Sequence, residues 1–454
     1  MRILQVVKLR LKISFDRIRN EKVKMAILQA IPFWSASFIT GLLAVLYAKM
    51  FAYAEKGTMF LLHEHKWFLL VVSPLCFIVS WWMVKRFAPF SKGSGIPQVM
   101  ASIELAKPRE QGKINRLLSV RVIAVKVSSS ILMVLGGGVI GREGPTIQIA
   151  ASVFRKINLW LPHWWPKISK KNMILTGAAA GLAAAFNTPL GGIVFAVEEL
   201  SKTHINYFKT ALFTAVVIAG LTAQALAGRY LYIGYPEITN LSPYIFIGVI
   251  AVAVIAGLLG SGMCSIMLSV FDWKKRFKTS FQHVIFLIGC ALLVILPTLL
   301  IDARTIGSGK DYMLEMVFSG NKYSEWYMPF LRISGSLFSF TTGAAGGVFA
   351  PALSSGASIG SWISGIFHLT DTNANLLILT GMVAFLTGVT RTPFTSAILV
   401  IEMTDRHTII FFLMLAGMIA GFVSLMVDKH SFYDRLKQNY LLELEDKDVV
   451  KNKT

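Results

Sequence analysis

Long apolar stretches broken by glycine and proline are the feature that most restricts this chain. Ala30–Ala54, Trp67–Val84, Thr210–Ala227, Tyr244–Val270, Val284–Ile301 and Ile409–Val427 are long apolar runs. Each approaches the ~20 residues needed to cross a hydrocarbon core of about 30 Å. Others are punctuated: Val134–Pro145, Thr176–Gly192 and Gly343–Gly360 carry repeated glycines and prolines at membrane-like hydropathy. Irregular backbone survives at membrane depth only inside protein or beside a watery cavity, because lipid offers no hydrogen bonds. Broken helices there are where transporters bind ions, although small residues also serve close helix packing. The sequence therefore predicts an all-α polytopic membrane protein rich in tilted and partial helices.

Composition agrees. Charged residues make up 15% of the chain, well below the ~25% of soluble proteins. The net charge of +21 first raises nucleic-acid binding, but its distribution follows membrane topology. Arg2, Lys8, Arg10, Lys12, Arg17, Arg19, Lys22 and Lys24 precede the first span with only Asp16 and Glu21 against them. Such a flank places the N-terminus in the cytoplasm. Lys167–Lys171, Lys274–Lys278 and Lys429–Lys437 fit further cytoplasmic loops or ends. Part of the excess can also concentrate anions near a pore mouth. No nucleic-acid partner is expected. The length of the first apolar stretch and its lack of a small-residue cleavage pattern argue against a removable signal peptide. Cys76, Cys264 and Cys290 lie far apart in apolar segments and imply no disulfide framework.

The chain also repeats itself. Thr176, Gly177, Ala180, Leu182, Thr188, Pro189 and Glu198 recur as Thr380, Gly381, Ala384, Leu386, Thr392, Pro393 and Glu402, at one offset of 204 residues. Gly141-Arg-Glu-Gly-Pro145 falls on Gly347-Val-Phe-Ala-Pro351 at an offset of 206. Two related halves are expected, joined near Gly228–Pro243. The division expected is a basic N-terminal segment 1–28, halves 29–228 and 229–436, and a tail 437–454. Repeated halves in transporters commonly run in opposite directions and bring matching broken helices together at the midplane.

Three glycine-rich turns feed helix starts: Gly93-Ser-Gly-Ile-Pro97, Gly141-Arg-Glu-Gly-Pro145 and Gly346-Gly-Val-Phe-Ala-Pro351. Proline suits a first helical turn. A helix start offers unpaired N–H donors and about half a positive charge, which favours an anion. Several such ends could strip the anion's hydration without the full opposite charge that would trap it.

These turns, in this order, resemble the signature motifs of the CLC chloride channel and transporter family. Ser431-Phe-Tyr-Asp-Arg-Leu436 matches the family's late tyrosine, so the resemblance runs from about Pro32 to Leu436. It implies that the Ser94 and Tyr433 hydroxyls coordinate a central anion, with the backbone N–H groups of Val348 and Phe349. The flanking selectivity positions would be Gly93, Gly95, Ile96, Pro97, Gly141, Arg142, Gly144, Pro145, Gly347 and Pro351. Glu143 would be the external gating glutamate, exchanging places with anions and taking up protons; the alternative is a salt bridge with Arg142. An ionisable side chain among membrane glycines is costly and functional by default. Glu199 aligns with the internal proton-transfer glutamate of the family's exchangers, where its channels usually carry an apolar residue. Alternatively, Glu198 and Glu199 cap a helix; the Glu402 match marks Glu198 as the structural one. Serine between the first two motif glycines implies chloride selectivity. Gln98 follows Pro97 where many relatives carry glutamate, a departure outside the expected anion shell.

The expected activity is thus exchange of chloride for protons by a homodimer in a bacterial-type inner membrane. A voltage- or pH-gated passive chloride channel and, more remotely, a sodium-coupled organic solute carrier are the alternatives. Only 21 residues follow Tyr433, so no cytoplasmic regulatory domain is expected. Gly136-Gly-Gly-Val-Ile-Gly141 meets a dinucleotide-binding spacing, but within a membrane helix and without the later acidic residue. It also has phosphate-loop glycine spacing, with Arg142-Glu143 in place of Lys-Ser/Thr. His63-Glu-His65, read as a short loop, lacks a further partner at metal-ligand spacing. No cofactor, metal or enzymatic activity is expected.

Overall fold

The computed structural model describes residues 15–16, 18–107, 110–201, 209–228 and 231–453, with side chains to Glu445. The basic residues Arg2, Lys8, Arg10, Lys12 and Arg17 lie outside the described residues. The described chain is helical, and its β pairing is limited to isolated bridges.

Eighteen α-helices can be followed. The first half holds α1 (Glu21–Glu64), α2 (Leu69–Phe87), α3 (Ile96–Glu104), α4 (Gln111–Leu117), α5 (Val120–Leu135), α6 (Glu143–Trp160), α7 (Lys170–Phe186), α8 (Pro189–Phe195) and α9 (Lys209–Ala227). The second holds α10 (Ile245–Lys274), α11 (Ser280–Leu300), α12 (Lys310–Phe318), α13 (Met328–Thr341), α14 (Phe349–Ile366), α15 (Asp371–Thr390), α16 (Pro393–Thr404), α17 (Ile410–Val427) and α18 (Phe432–Lys453). All six apolar runs coincide, to within a capping residue, with helices long and apolar enough to cross a membrane, and among the described residues Gln111–Leu135 and Asp371–Thr390 join them. Both are apolar enough by composition, but the first opens on charged and polar residues and the second is interspersed with threonine and asparagine. α15 is almost wholly buried, so it needs small residues rather than lipid-facing ones.

Two helix pairs form the core, α6 with α7 and α14 with α15. Close approach is what the glycines permit. A Cβ on Gly356 would run into the Gly381 carbonyl, and one on Gly177 into Phe154. Matching positions end the second helix of each pair: Asn187 and Arg391 both take a left-handed conformation, φ 58° and 64°. Arginine rarely tolerates it. Here its guanidinium is anchored on the Ser261 hydroxyl (3.0 Å) and the Asp428 carbonyl (2.9 Å).

Reciprocal contacts reveal how the halves face each other. Gly141 and Gly347 exchange both backbone hydrogen bonds, at 2.7 and 2.8 Å, so the N-termini of α6 and α14 meet nose to nose. Glu198 accepts from the Phe394 and Thr395 N–H groups (3.2 and 2.7 Å) at the start of α16. Its counterpart Glu402 accepts from the Leu190 and Gly191 N–H groups (3.0 and 2.7 Å) at the start of α8. Self-complementary exchange requires a local two-fold axis. Helices that meet at their starts and diverge run antiparallel, so the repeat is inverted.

Two expectations need correction. The Gly136–Gly141 run is the connection between α5 and α6, not a helix interior, because Gly136 already caps α5 and Gly137 has φ 81°. His63 and Glu64 belong to the last turn of α1, with only His65 beyond it. No group of three or more His, Cys, Asp or Glu residues suited to a metal occurs among the described residues.

Each glutamate cap satisfies two orphan N–H groups in a low-dielectric setting. Glu198→Ala and Glu402→Ala should each cost about 1–2 kcal/mol, lowering the midpoint of thermal unfolding in detergent. A midpoint unchanged in both variants would contradict the reciprocal-cap assignment.

Candidate functional site

The three glycine turns converge because backbone hydrogen bonds stitch them together. The Gly93 N–H donates to the Ala344 carbonyl (2.8 Å), and the Gly346 N–H donates back to Gly93 (3.1 Å). With the Gly141–Gly347 exchange, two loops from the first half of the chain flank the second-half loop that opens α14. Gly93 (φ 63°) and Gly95 (φ 107°) sit where side chains strain. Gly144 allows another close approach, because a Cβ there would strike the Ser94 hydroxyl. The starts of α3, α6 and α14 therefore crowd around Ser94.

Tyr433, in the first turn of α18, completes this centre from the far end of the sequence. Its ring stacks on Phe349 with centroids 6.4 Å apart and planes 12° from parallel. Tyr433 and Ser94 are fully buried neighbours. Neither hydroxyl completes a protein hydrogen bond of good geometry. A buried hydroxyl left unpaired costs about 1–3 kcal/mol, so two facing one space mark a place for a polar ligand. Val348 and Phe349 lie at the N-terminus of α14 beside it. The structure thus brings together Ser94, Val348, Phe349 and Tyr433 with the glycine and proline positions of the three turns.

Glu143, the first residue of α6, is buried. Its carboxylate faces the backbone N–H of Ala350 in the first turn of α14, where helix partial charge favours an anion. One oxygen accepts from the Tyr232 hydroxyl at 3.4 Å, a long bond; the other completes no protein hydrogen bond. Glu143 also lines a cavity of about 330 Å³ with Glu55, Arg142, Tyr232, Lys310 and Asp311. Arg142 is an electrostatic neighbour of Glu143 and shares that cavity rather than closing on the carboxylate as a described salt bridge.

Glu199 lies elsewhere. α8 ends in a π-helical turn, Ala196–Ser201, that carries Glu198 and Glu199. Widened turns of this kind often occur at functional sites. This one sends Glu198 to the cap of α16 and buries Glu199, 5% exposed. Glu199 borders a second cavity of about 450 Å³ with Glu104, Lys107, Lys171 and Lys437. The two cavities share no lining residue. α6 begins at the first, and the loop after it leads to Lys171 at the second. An 18-residue helix spans about 27 Å, so the cavities open on opposite faces. Tyr433 lies within electrostatic reach of both carboxylates.

Sequence reading missed several members. Tyr232 lies within the expected junction between halves, and no motif marks it. It packs edge-on against Phe186, which also contacts Phe349. Phe195 meets Phe349 in turn, giving the site an aromatic wall. Lys126 is fully buried and donates to the Gly93 carbonyl at 2.7 Å. Its signal was available, since one lysine interrupts the otherwise apolar run 122–127. Gln98 acquires a role: its amide donates to the Phe90 and Lys92 carbonyls (3.1 and 2.7 Å), fixing the approach to Gly93.

Comparison with known proteins agrees with this arrangement. The family model described as "Voltage gated chloride channel" matches residues 75–425. The H(+)/Cl(-) exchange transporter ClcA of Citrobacter koseri is 30% identical, over 89% of this chain and 87% of that protein. ClcA of Salmonella schwarzengrund is 27% identical, over 99% and 96%. Among solved structures, a slow cyanobacterial Cl-/H+ antiporter has a TM-score of 0.79 at 24% identity, covering 91% of this chain and 98% of its own. A CLC-type fluoride/proton antiporter has a TM-score of 0.75 at 20% identity over the same shares. With three converging helix starts, an inverted repeat and a family match across most of its length, this chain belongs to the CLC family of voltage-gated chloride channels and transporters.

Proposed function

We propose that the chain exchanges chloride for protons across the membrane. The observation that carries this reading is the pair of buried carboxylates, Glu143 and Glu199, each opening into its own cavity on opposite faces. A passive pore needs no second acid; a proton route separate from the anion route does. The curated relatives are named as H+/Cl- exchangers, and the same reading suits these residues.

The anion takes the centre formed by the Ser94 and Tyr433 hydroxyls and the N–H groups of Val348 and Phe349. Hydroxyl and backbone dipoles replace part of its hydration, giving binding tight enough for entry and weak enough for release. Glu143 competes from above, since its ionised carboxylate occupies the positive start of α14. Protonation removes its charge and its hold on the N–H groups, and an anion replaces it. The Tyr232 hydroxyl donates to the ionised form and so favours the closed arrangement. Glu199 passes protons between the opposite cavity and the region near Tyr433. Ser94, lying among Gly93, Gly95, Ile96 and Pro97, favours chloride.

The protein is a multi-pass membrane protein, and the proposal extends to an inner-membrane homodimer with both termini cytoplasmic. In support, Leu190, Val197, Phe394 and Phe422 lie exposed on α8, its π turn, α16 and α17, an apolar surface that lipid or a second subunit could cover. The division into halves at 228/229 follows the repeat. A passive channel of the same family is the alternative, separated by the following tests.

In chloride-loaded liposomes, Glu143→Ala should retain chloride flux and lose chloride-driven proton movement. Intact proton coupling in that variant would refute the gate assignment. Glu199→Ala should uncouple protons while leaving the external pH response of chloride flux. If wild-type protein carried chloride with no proton movement, the channel reading would replace exchange. Tyr232→Phe removes a weak donor to the ionised gate. The pH at which flux half-rises should therefore move upward by roughly half a unit; a downward shift would exclude the latch.

A further inference from the structure

A second basic site lies away from the transport pathway. The ends of α2, α4 and α6 and the start of α5 enclose a cavity of about 570 Å³. Four cations line it, Arg116, Arg121, Arg155 and Lys156, and among the described residues no Asp or Glu does. Concentrating four positive charges in one concave site is costly unless an anion offsets them.

The cavity is built, not incidental. Arg155 is only 8% exposed, and it spans two elements by donating to the Leu118 carbonyl (2.9 Å) and the Asn115 side-chain carbonyl (2.6 Å). That clamp fixes the turn at which Ser119 caps α5. The first N–H groups of this 16-residue helix point to the same place and add their partial positive charge. Arg121 is exposed, while Arg116 and Lys156 are half-buried beside the clamp, Lys156 lying 5.3 Å over the Trp160 ring.

Depth in the membrane identifies the ligand class. The cavity sits where two candidate spans, Lys66–Phe87 and Gln111–Leu135, end or bend at the same face. Lys170 ties this face to the side holding the Glu199 cavity, by donating to Gln111 on α4. Around the rim Phe87, Val120, Leu159 and Trp160 are 48%, 59%, 41% and 64% exposed. Cations beside outward-facing apolar and aromatic side chains match the boundary between lipid headgroup and acyl chain. A soluble phosphate would use the cations and ignore the rim.

We propose that this cavity holds the phosphate headgroup of an anionic phospholipid, with Arg116, Arg121 and Lys156 as its contacts and acyl chains along Phe87, Val120 and Leu159. Basic pockets between helix ends on one leaflet are the expected receptors for such headgroups.

Native mass spectrometry of the full chain in neutral detergent tests this with dioctanoyl phosphatidylglycerol and dioctanoyl phosphatidylcholine. The wild-type protein should retain the glycerol lipid in preference to the choline lipid. Each cation near a headgroup contributes roughly five-fold, so Arg116→Gln, Arg121→Gln and Lys156→Gln together should cut that preference on the order of 100-fold. Arg121→Gln alone, at an exposed position, should cut it roughly five-fold and guards against misfolding of the triple variant. No preference in the wild type, or one unchanged in Arg121→Gln, would overturn the proposal. Displacement of the lipid by millimolar inorganic phosphate would also overturn it, assigning the site to a soluble anion.

Discussion

The two backbone hydrogen bonds exchanged by Gly141 and Gly347 are the constraint from which the rest of the structure follows. They press the N-termini of two long helices together within the protein, where each would otherwise face water or a partner. Glycine eases so close an approach: a Cβ on Gly347 would come 3.1 Å from the Gly141 carbonyl, tighter than an ordinary contact. Two positive helix starts held face to face repel one another unless something negative sits between or beside them. Glu143 supplies one negative group, and a transported anion can supply another. The same contact that creates the fold's symmetry thus creates its demand for an anion.

Fixed cations at depth extend this logic. Arg332, fully buried, donates to the Thr305 and Ile306 carbonyls and to the Ser354 hydroxyl, tying an extramembrane turn to α14. Lys126 does the same for the Gly93 loop. Buried cations are costly, and carbonyl oxygens without a full counter-charge offset only part of that cost. What remains is a positive potential around the site that no motif announces. Just beyond α11, Asp302 closes on Arg304 at 2.6 Å; burial pushes the Asp302 carboxyl up, and the hydrogen bonds and charge of Arg304 outweigh it and hold it below its usual range.

The two glutamates of the π turn show how local geometry separates roles. Adjacent residues on a regular helix point about 100° apart, and both face similar depth. Here Glu198 reaches across the two-fold axis to cap α16, while Glu199 turns inward to a cavity. The first is answered by Glu402 in the other half. The second has no equivalent there, since Met403 follows Glu402. The repeat therefore marks Glu198 as part of the symmetric frame and sets Glu199 outside it.

Much of this was legible in the residues. Apolar length gave the membrane, glycine and proline marked the breaks, and the 204-residue offset announced the halves. Ser94, Glu143, Glu199 and Tyr433 were identifiable through the resemblance that the turns carry. The spans at Gln111–Leu135 and α15 were less plain, because charged and polar residues open the first and threonine and asparagine intersperse the second, which is packed within protein. Inversion, the convergence of loops some 250 residues apart, and the Tyr232 contact with Glu143 were beyond reach. The basic cavity joins residues from four helix ends that are unremarkable one at a time. Composition and spacing are properties of neighbours along the chain, so they determined the medium, the elements and the motif residues. Which groups share a cavity, and on which face, depends on contacts between distant segments, and only the tertiary structure decided it.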